Sequence, residues 1–173
     1  MTVHIKTFPG TALSEKDFDE GRVLYVHDRL RGEYAWDTGV AIGSYLAALK
    51  RGVILGARCE HCRRTVVPPR VVCELCYRPM DAYVPLQDTG TVNTFSLCYV
   101  TWDVQRVKEP EIPAVIEIDG ASPLCGILHK LGGVDPQQVR IGLRVQAVWK
   151  PPEDRQGAIT DILHFRPLAE AAS

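Results

Sequence analysis

"CEHCRRTVVPPRVVCELC", residues 59–76, places four of the chain's six cysteines in two Cys-x-x-Cys pairs ten residues apart. A Cys-x-x-Cys turn aims two sulfurs at one point while its backbone N–H groups face the thiolates. Two such turns close a tetrahedron of sulfurs, the geometry that zinc accepts in closed structural sites. Cys59, Cys62, Cys73 and Cys76 are therefore predicted to hold one structural zinc. A single iron in the same thiolates is the runner-up, and an iron–sulfur cluster stands behind it. Four protein sulfurs leave no open coordination position, so the metal folds a small module and does not activate water. His61, inside the first turn, is surplus to that set and reads as a surface residue. The spacer between the pairs is shorter than the usual run of about 15–20 residues, but it accommodates a turn. Its "TVVPPRVV" is β-branched and proline-bearing, as short extended segments with edge prolines are.

Around this cluster the chain is ordinary in bulk. It has 173 residues, 46% hydrophobic and 24% charged, which suits one domain or two small ones and excludes a disordered polymer. No apolar run approaches the roughly 20 residues of a membrane span. "MTVHIKTFPG" lacks the apolar centre of a secretory signal, so a cytoplasmic protein is expected. In that compartment clustered cysteines read as metal ligands and not as disulfides. Cys98 and Cys125, outside the cluster, read as buried small apolar residues.

Charge is uneven. Residues 50–78 carry Lys50, Arg51, Arg58, Arg63, Arg64, Arg70 and Arg78 against Glu60 and Glu74, a formal +5. The net charge of the whole chain is −1, so the remainder sums to −6. A zinc tetrathiolate carries −2, which leaves about +3 around the cluster, a patch suited to a phosphate or an acidic partner. A solvated face of long charged side chains is the plainer reading of the same residues.

Outward from the cysteines, the pattern divides the chain in three. Residues 1–52 form an N-terminal arm without an evident core of its own. Ser14 caps a short helix in "LSEKDFDEG", "VLYVHDRL" is ambiguous, and "GEYAWDTG" is a loop with two aromatics. In "GVAIGSYLAALKRG", Ile42, Tyr45, Leu46 and Leu49 share one helical face and Gly52 stops the helix. Residues 53–83 are the zinc module. Residues 84–173 turn to β, with five strands drawn from "DTGTVNTFSLCYVTW", "IPAVIEIDG", "PLCGILHKL", "LRVQAVWKPP" and "GAITDILHFRP". In the first, Phe95, Leu97 and Tyr99 alternate onto one face. "DPQQVRIG" links the third and fourth strands. The fold class is mainly β with an N-terminal helical arm: a rubredoxin-like zinc ribbon, then a five-stranded barrel of the OB type, with a small sandwich as the alternative.

Catalytic signals are weak. There is no G-x-S-x-G, the histidines are scattered, and Cys98 and Cys125 sit in apolar strand patterns that do not promote a thiolate. The "DTG" at 88–90 and "LGG" at 131–133 read as turn glycines, since neither has the context of a phosphate loop. No catalytic residue is assigned, and any chemistry is expected to belong to a complex.

The order of these features resembles a known family. A helix ending "LKRG", the two knuckles with Pro-Pro-Arg before the second, "DTGTV", "IPAVIEIDGA", "IGLRVQAVW" and a closing "FRP" are similar to the zinc-ribbon plus OB-fold family. That family was first catalogued as domain of unknown function 35. The similarity spans about residues 40–167. It implies a non-catalytic partner of a thiolase-superfamily subunit, which docks on that subunit and helps shape or gate its CoA-ester site. Known associates of the family include acetoacetyl-CoA thiolases and the lipid-transfer-like aldolases of steroid side-chain degradation. The arm and the "WKPPEDRQGAITDI" tail look similar to the branch with the benzoylsuccinyl-CoA thiolase small subunit of anaerobic toluene breakdown. In such a complex Arg63, Arg64 and Arg70 are the candidates for contacting CoA phosphates or acidic residues of the partner. The competing reading is a nucleic-acid module. It needs a basic groove with stacking aromatics, for which Tyr99, Trp102 and Trp149 are candidates, and core packing explains them more cheaply.

Overall fold

The computed structural model describes residues 12–24, 26, 32–101 and 103–168. Trp102 and most of "VLYVHDRL" fall outside those residues. The chain forms two compact units, residues 1–36 and 37–173. In the first, helix α1 (Glu15–Asp19) starts at Ser14, whose backbone N–H donates to the Asp17 carboxylate at 2.7 Å. Tyr34 and Trp36 stack with ring centroids 5.9 Å apart, and both are exposed.

The second unit opens with helix α2 (Gly39–Lys50). Gly52 stops it as the sequence suggests: its φ is +77°, its N–H donates to Leu49 O, and Val53 N–H donates to Ala48 O. Those two bonds make the left-handed closing turn that glycine adopts without steric cost. A Cβ at Gly52 would also lie 2.5 Å from the Arg155 guanidinium. The buried face differs from the expected one. Ala41, Tyr45, Ala48 and Leu49 are buried, while Ile42 is 37% exposed. Small alanines let the helix lie close against the strand that follows, and the larger isoleucine turns outward.

Three strands then build the ribbon: β1 (Ile54–Cys59), β2 (Arg64–Val66) and β3 (Ala82–Leu86), in the order β2-β1-β3 and antiparallel throughout. Six more follow: β4 (Thr89–Phe95), β5 (Cys98–Val100), β6 (Arg106–Ile118), β7 (Gly126–Leu131), β8 (Arg144–Trp149) and β9 (Ile162–Pro167). Among the described residues, β4 pairs with both β6 and β8, so the ring β4-β6-β7-β9-β8 closes on itself. The β7–β9 contact is parallel, at the pair Leu131↔Phe165, and the others are antiparallel. First strand next to second, second to third, third parallel to fifth: this is the OB arrangement. Along β6, buried and half-buried residues alternate from Ile112 to Ile118, and Ile116, Val92, Val145, Ile162 and Phe165 fill the interior.

Two strand readings change. The register shifts between Val92 and Thr94, so one extra residue reverses the side-chain parity beyond it. Leu97 and Tyr99 are exposed and do not continue the half-buried face of Phe95, because β4 ends at Phe95 and the chain breaks before it pairs again as β5. β6 also begins at Arg106, well before "IPAVIEIDG", and its first half pairs with β5. Gly90 is not a turn residue. It sits in β4 opposite Ile118, where a Cβ would come within 2.3 Å of Glu117 O. Gly133, with φ +63°, is the turn glycine that "LGG" suggested.

The polar loop between β8 and β9 is organised by one carboxylate. Asp161 is fully buried and accepts from the backbone N–H groups of Gln156, Gly157 and Ala158 at 3.0, 2.7 and 3.0 Å. Burial alone would raise its pKa, but these three donors and the nearby Lys150 outweigh that and hold it below the usual carboxylate value. Stability from such a group is complete above the unfolded value near 3.9 and is lost as pH falls through the lower folded value. Asp161→Ala is therefore expected to cost about 3 kcal/mol at neutral pH, since three N–H groups lose a charged acceptor. In thermal melts the variant should show a smaller drop between pH 5 and pH 2 than the parent protein; an equal acid slope for the two overturns the assignment.

Candidate metal centre

Each knuckle takes its first cysteine from the more buried side: Cys59 ends β1 and Cys73 follows the Pro-Pro loop, both with no exposure, while Cys62 and Cys76 are half-buried. The four Sγ atoms lie within 4.8 Å of one another, and Cys59 and Cys76 are 3.7 Å apart. A tetrahedron with Zn–S distances near 2.3 Å has S–S edges of about 3.8 Å, so the cage fits the ion. Cys62 N–H faces Cys59 Sγ at 3.5 Å. N–H donation from Leu75 and Cys76 pulls the Cys73 thiol down to about 7. The Cys76 sulfur, with burial, pushes the Cys62 thiol up to about 12. Sulfurs this close cannot all ionise together without a cation, and a dication removes that conflict. The cluster is a closed structural zinc site, with no position left for a reacting water.

The residue after each second cysteine, Arg63 and Tyr77, has a left-handed backbone, with φ of +52° and +57°. The two knuckles thus share one backbone turn, at the position where glycine is least strained. Glu60 N–H is capped by the Asp81 carboxylate at 2.7 Å, and Arg78 reaches His61 Nδ1 at 3.4 Å. His61 is exposed and belongs to no sulfur contact, as expected from a complete four-cysteine set.

The three candidate arginines do not act as one group. Arg64 Nε stands 3.0 Å from Glu74 Oε1 and Arg70 Nη1 stands 3.4 Å from Glu74 Oε2. Glu74 lies between the cysteines of the second knuckle, so both guanidinium groups brace the metal loop. The Arg64 approach lacks hydrogen-bond alignment at Nε, and charge rather than geometry holds that pair. Arg64 Nη2 also reaches Cys125 Sγ at 3.3 Å, at the entrance to β7. Beside it, Thr65 N–H donates to Ser122 Oγ at 2.9 Å and Ser122 N–H donates to Thr65 O at 2.8 Å. These bonds fasten ribbon to barrel. Arg63 is exposed and has no ion-pair partner among the described residues. Arg58 pairs with Glu60, so three of the seven cations counted in the sequence are engaged by the two carboxylates of the ribbon, and the formal excess of positive charge remains.

Sequence reading missed Glu74 as the shared anchor and Cys125 as a sulfur that meets a guanidinium. It also placed Cys98 in the core, whereas Cys98 is only half-buried on the short strand β5. Tyr99 is 45% exposed, and Trp149 is half-buried beneath Arg155 with its Nε1 3.4 Å from Asp88. Another surface had no pattern to reveal it. Val71, Leu75, Tyr77 and Tyr83, all on the ribbon, are 56%, 60%, 82% and 39% exposed.

Comparisons with known proteins agree with this architecture. Residues 46–80 match the family model for the rubredoxin-like zinc ribbon domain of ChsH2, and residues 83–150 match that for the ChsH2 C-terminal OB-fold domain. A crystal structure of a DUF35-family protein of unknown function from Sulfolobus solfataricus is 26% identical, with a TM-score of 0.56. The match covers 64% of this chain and 79% of that one. A structure described as the Ltp2-ChsH2(DUF35) aldolase is 21% identical with a TM-score of 0.56, covering 78% of this chain and 98% of that chain. No curated protein matches.

Two outcomes test the centre. Metal analysis of the purified chain should give one zinc per chain, and Cys73→Ser should abolish it; acidification should release the ion as the thiolates protonate. Tyr77→Gly, which removes a left-handed backbone penalty at an exposed side chain, should raise stability by about 1 kcal/mol in denaturant titrations of the zinc-loaded protein.

Proposed function

We propose, from the premise that this chain carries the ChsH2 zinc ribbon and the ChsH2 OB-fold domain in that order, that it is a non-catalytic partner subunit of a thiolase-superfamily enzyme acting on acyl-CoA esters. The neighbour described as an Ltp2-ChsH2(DUF35) aldolase favours a lipid-transfer-like catalytic subunit within that superfamily. The benzoylsuccinyl-CoA thiolase branch is a narrower version of the same reading and rests on the arm and tail sequences alone.

The observation that carries the proposal is the apolar face of the second knuckle. Val71, Leu75 and Tyr77 present large side chains to solvent on a module held rigid by four metal bonds. Exposed apolar residues on a stiff support, with the charged Arg70 and Arg78 next to them in the chain, have the make-up of a protein contact. Tyrosine is among the residue types that contribute most when a partner buries them. Arg63, exposed and without an ion-pair partner among the described residues, remains the candidate for a CoA phosphate or an acidic residue of the partner, while Arg64 and Arg70 are occupied by Glu74. The same ion pairs disfavour a nucleic-acid groove, which needs its basic charge free.

Affinity purification of the tagged chain from its own cells should recover a thiolase-superfamily protein at fixed stoichiometry. Leu75→Glu with Tyr77→Glu should weaken that association at least tenfold while leaving the zinc content unchanged. Recovery of nucleic acid in place of such a protein overturns the function. Recovery of the protein at undiminished affinity by the double variant overturns the assigned face.

A further inference from the structure

The barrel has a weak seam. β7 and β9 meet at the single pair Leu131↔Phe165, where Gly132 N–H donates to Phe165 O at 2.9 Å. N-terminal to that pair the two strands share no further bridge, and a groove of about 410 Å³ opens between them on the barrel's outer surface. By the alternation of strand hydrogen bonds, the backbone of Leu128 faces this groove. On the other bank Leu163 is the extra residue of a bulge, skipped by β8 between the pairs Val148↔His164 and Trp149↔Ile162. His129 fills the floor: Lys130 N–H donates to its Nδ1 at 2.9 Å, and its Nε2 meets Ile159 O at 3.3 Å.

The walls are chemically one-sided. Leu128 is 69% exposed, Leu163 41% and Ile159 39%, which is unusual for residues around a barrel joint. Lys130 and Lys150 supply the charge, and among the described residues no carboxylate lines the groove. Asp161, nearby in sequence, is buried and turned into its own loop.

We propose that this seam accepts an extended peptide segment whose apolar residues alternate with acidic ones, added as a strand along the outer edge of β7. Unpaired strand edges are templates for pairing, and strand addition takes affinity from main-chain bonds and specificity from alternate side chains. Apolar residues of the guest would lie against Leu128, Leu163 and Ile159, and its carboxylates would face Lys130 and Lys150. The site lies on the barrel and is independent of the knuckle face and of the function proposed above.

The test uses the full zinc-loaded chain and a fluorescein-labelled peptide of alternating glutamate and valine, with a lysine–valine peptide as counterpart. Expected are saturable anisotropy for the acidic peptide only, and slowed amide exchange at Leu128 and Leu163. Leu128→Glu and Lys130→Glu should each weaken binding at least tenfold. Both side chains are exposed, so an unchanged thermal midpoint confirms that the variants fold. Equal binding of the two peptides, or binding indifferent to Leu128→Glu, overturns the proposal. So does displacement by dodecanoate without amide protection, which assigns the groove to an acyl carboxylate instead.

Discussion

Closure of four sulfurs around one point is the constraint on which the ribbon, and through it the rest of the unit, depends. The ribbon's strands are short, β2 having only three residues, and its interior is small: Ile54, Ala57, Val66, Val67 and Pro69 beside the buried Cys59 and Cys73. Apolar burial on that scale does not offset the entropy of ordering two loops, and metal–thiolate bonds supply the difference. The left-handed turns at Arg63 and Tyr77 are held in place by the same closure.

From the metal outward, one carboxylate carries the consequence into the barrel. Glu74 sits between two metal ligands and engages Arg64, which also reaches Cys125 beside β7. Thr65 and Ser122 exchange hydrogen bonds next to it. The order of the second knuckle therefore bears on the loop that leads from β6 to β7. At the far side, Asp161 gathers three backbone donors in the loop before β9, and Gly157 of that loop lies against the C-terminal half of α2, where a Cβ would be 3.2 Å from Leu46 O. Ribbon, barrel and helix are joined by a few polar anchors as well as by shared apolar packing.

Much of this was legible in the residues. Cys-x-x-Cys spacing is a local geometric statement, so the ligand set and the metal's closed character followed from it directly. Strand count and the Asp135-Pro136 break also held: Asp135 caps a short 3-10 turn by accepting from Gln137 N–H at 2.9 Å. Errors appeared where a local rule met a long-range one. Alternation through Phe95, Leu97 and Tyr99 failed because β4 ends at Phe95 and the chain pairs with β6 afresh from Cys98, a break set by the distant partner strand. The inner face of α2 was misjudged because apolarity ranked Ile42 above Ala41 and Ala48, whereas close packing against β1 selects the smaller residues.

By itself, the sequence determined the elements whose physics is local: the four-sulfur cage, the helix stop at Gly52, the alternating strands and the turn between the third and fourth barrel strands. Tertiary structure alone decided what the charged and apolar surface residues do. Arg64 and Arg70 were two of three equal cations in the sequence, and only the fold brought them to Glu74 and left Arg63 in solvent. Likewise Leu75, Tyr77 and Leu128 are ordinary apolar letters until the chain closes and they remain outside. Burial and charge pairing depend on which distant segments come together, and no local pattern of residues records that.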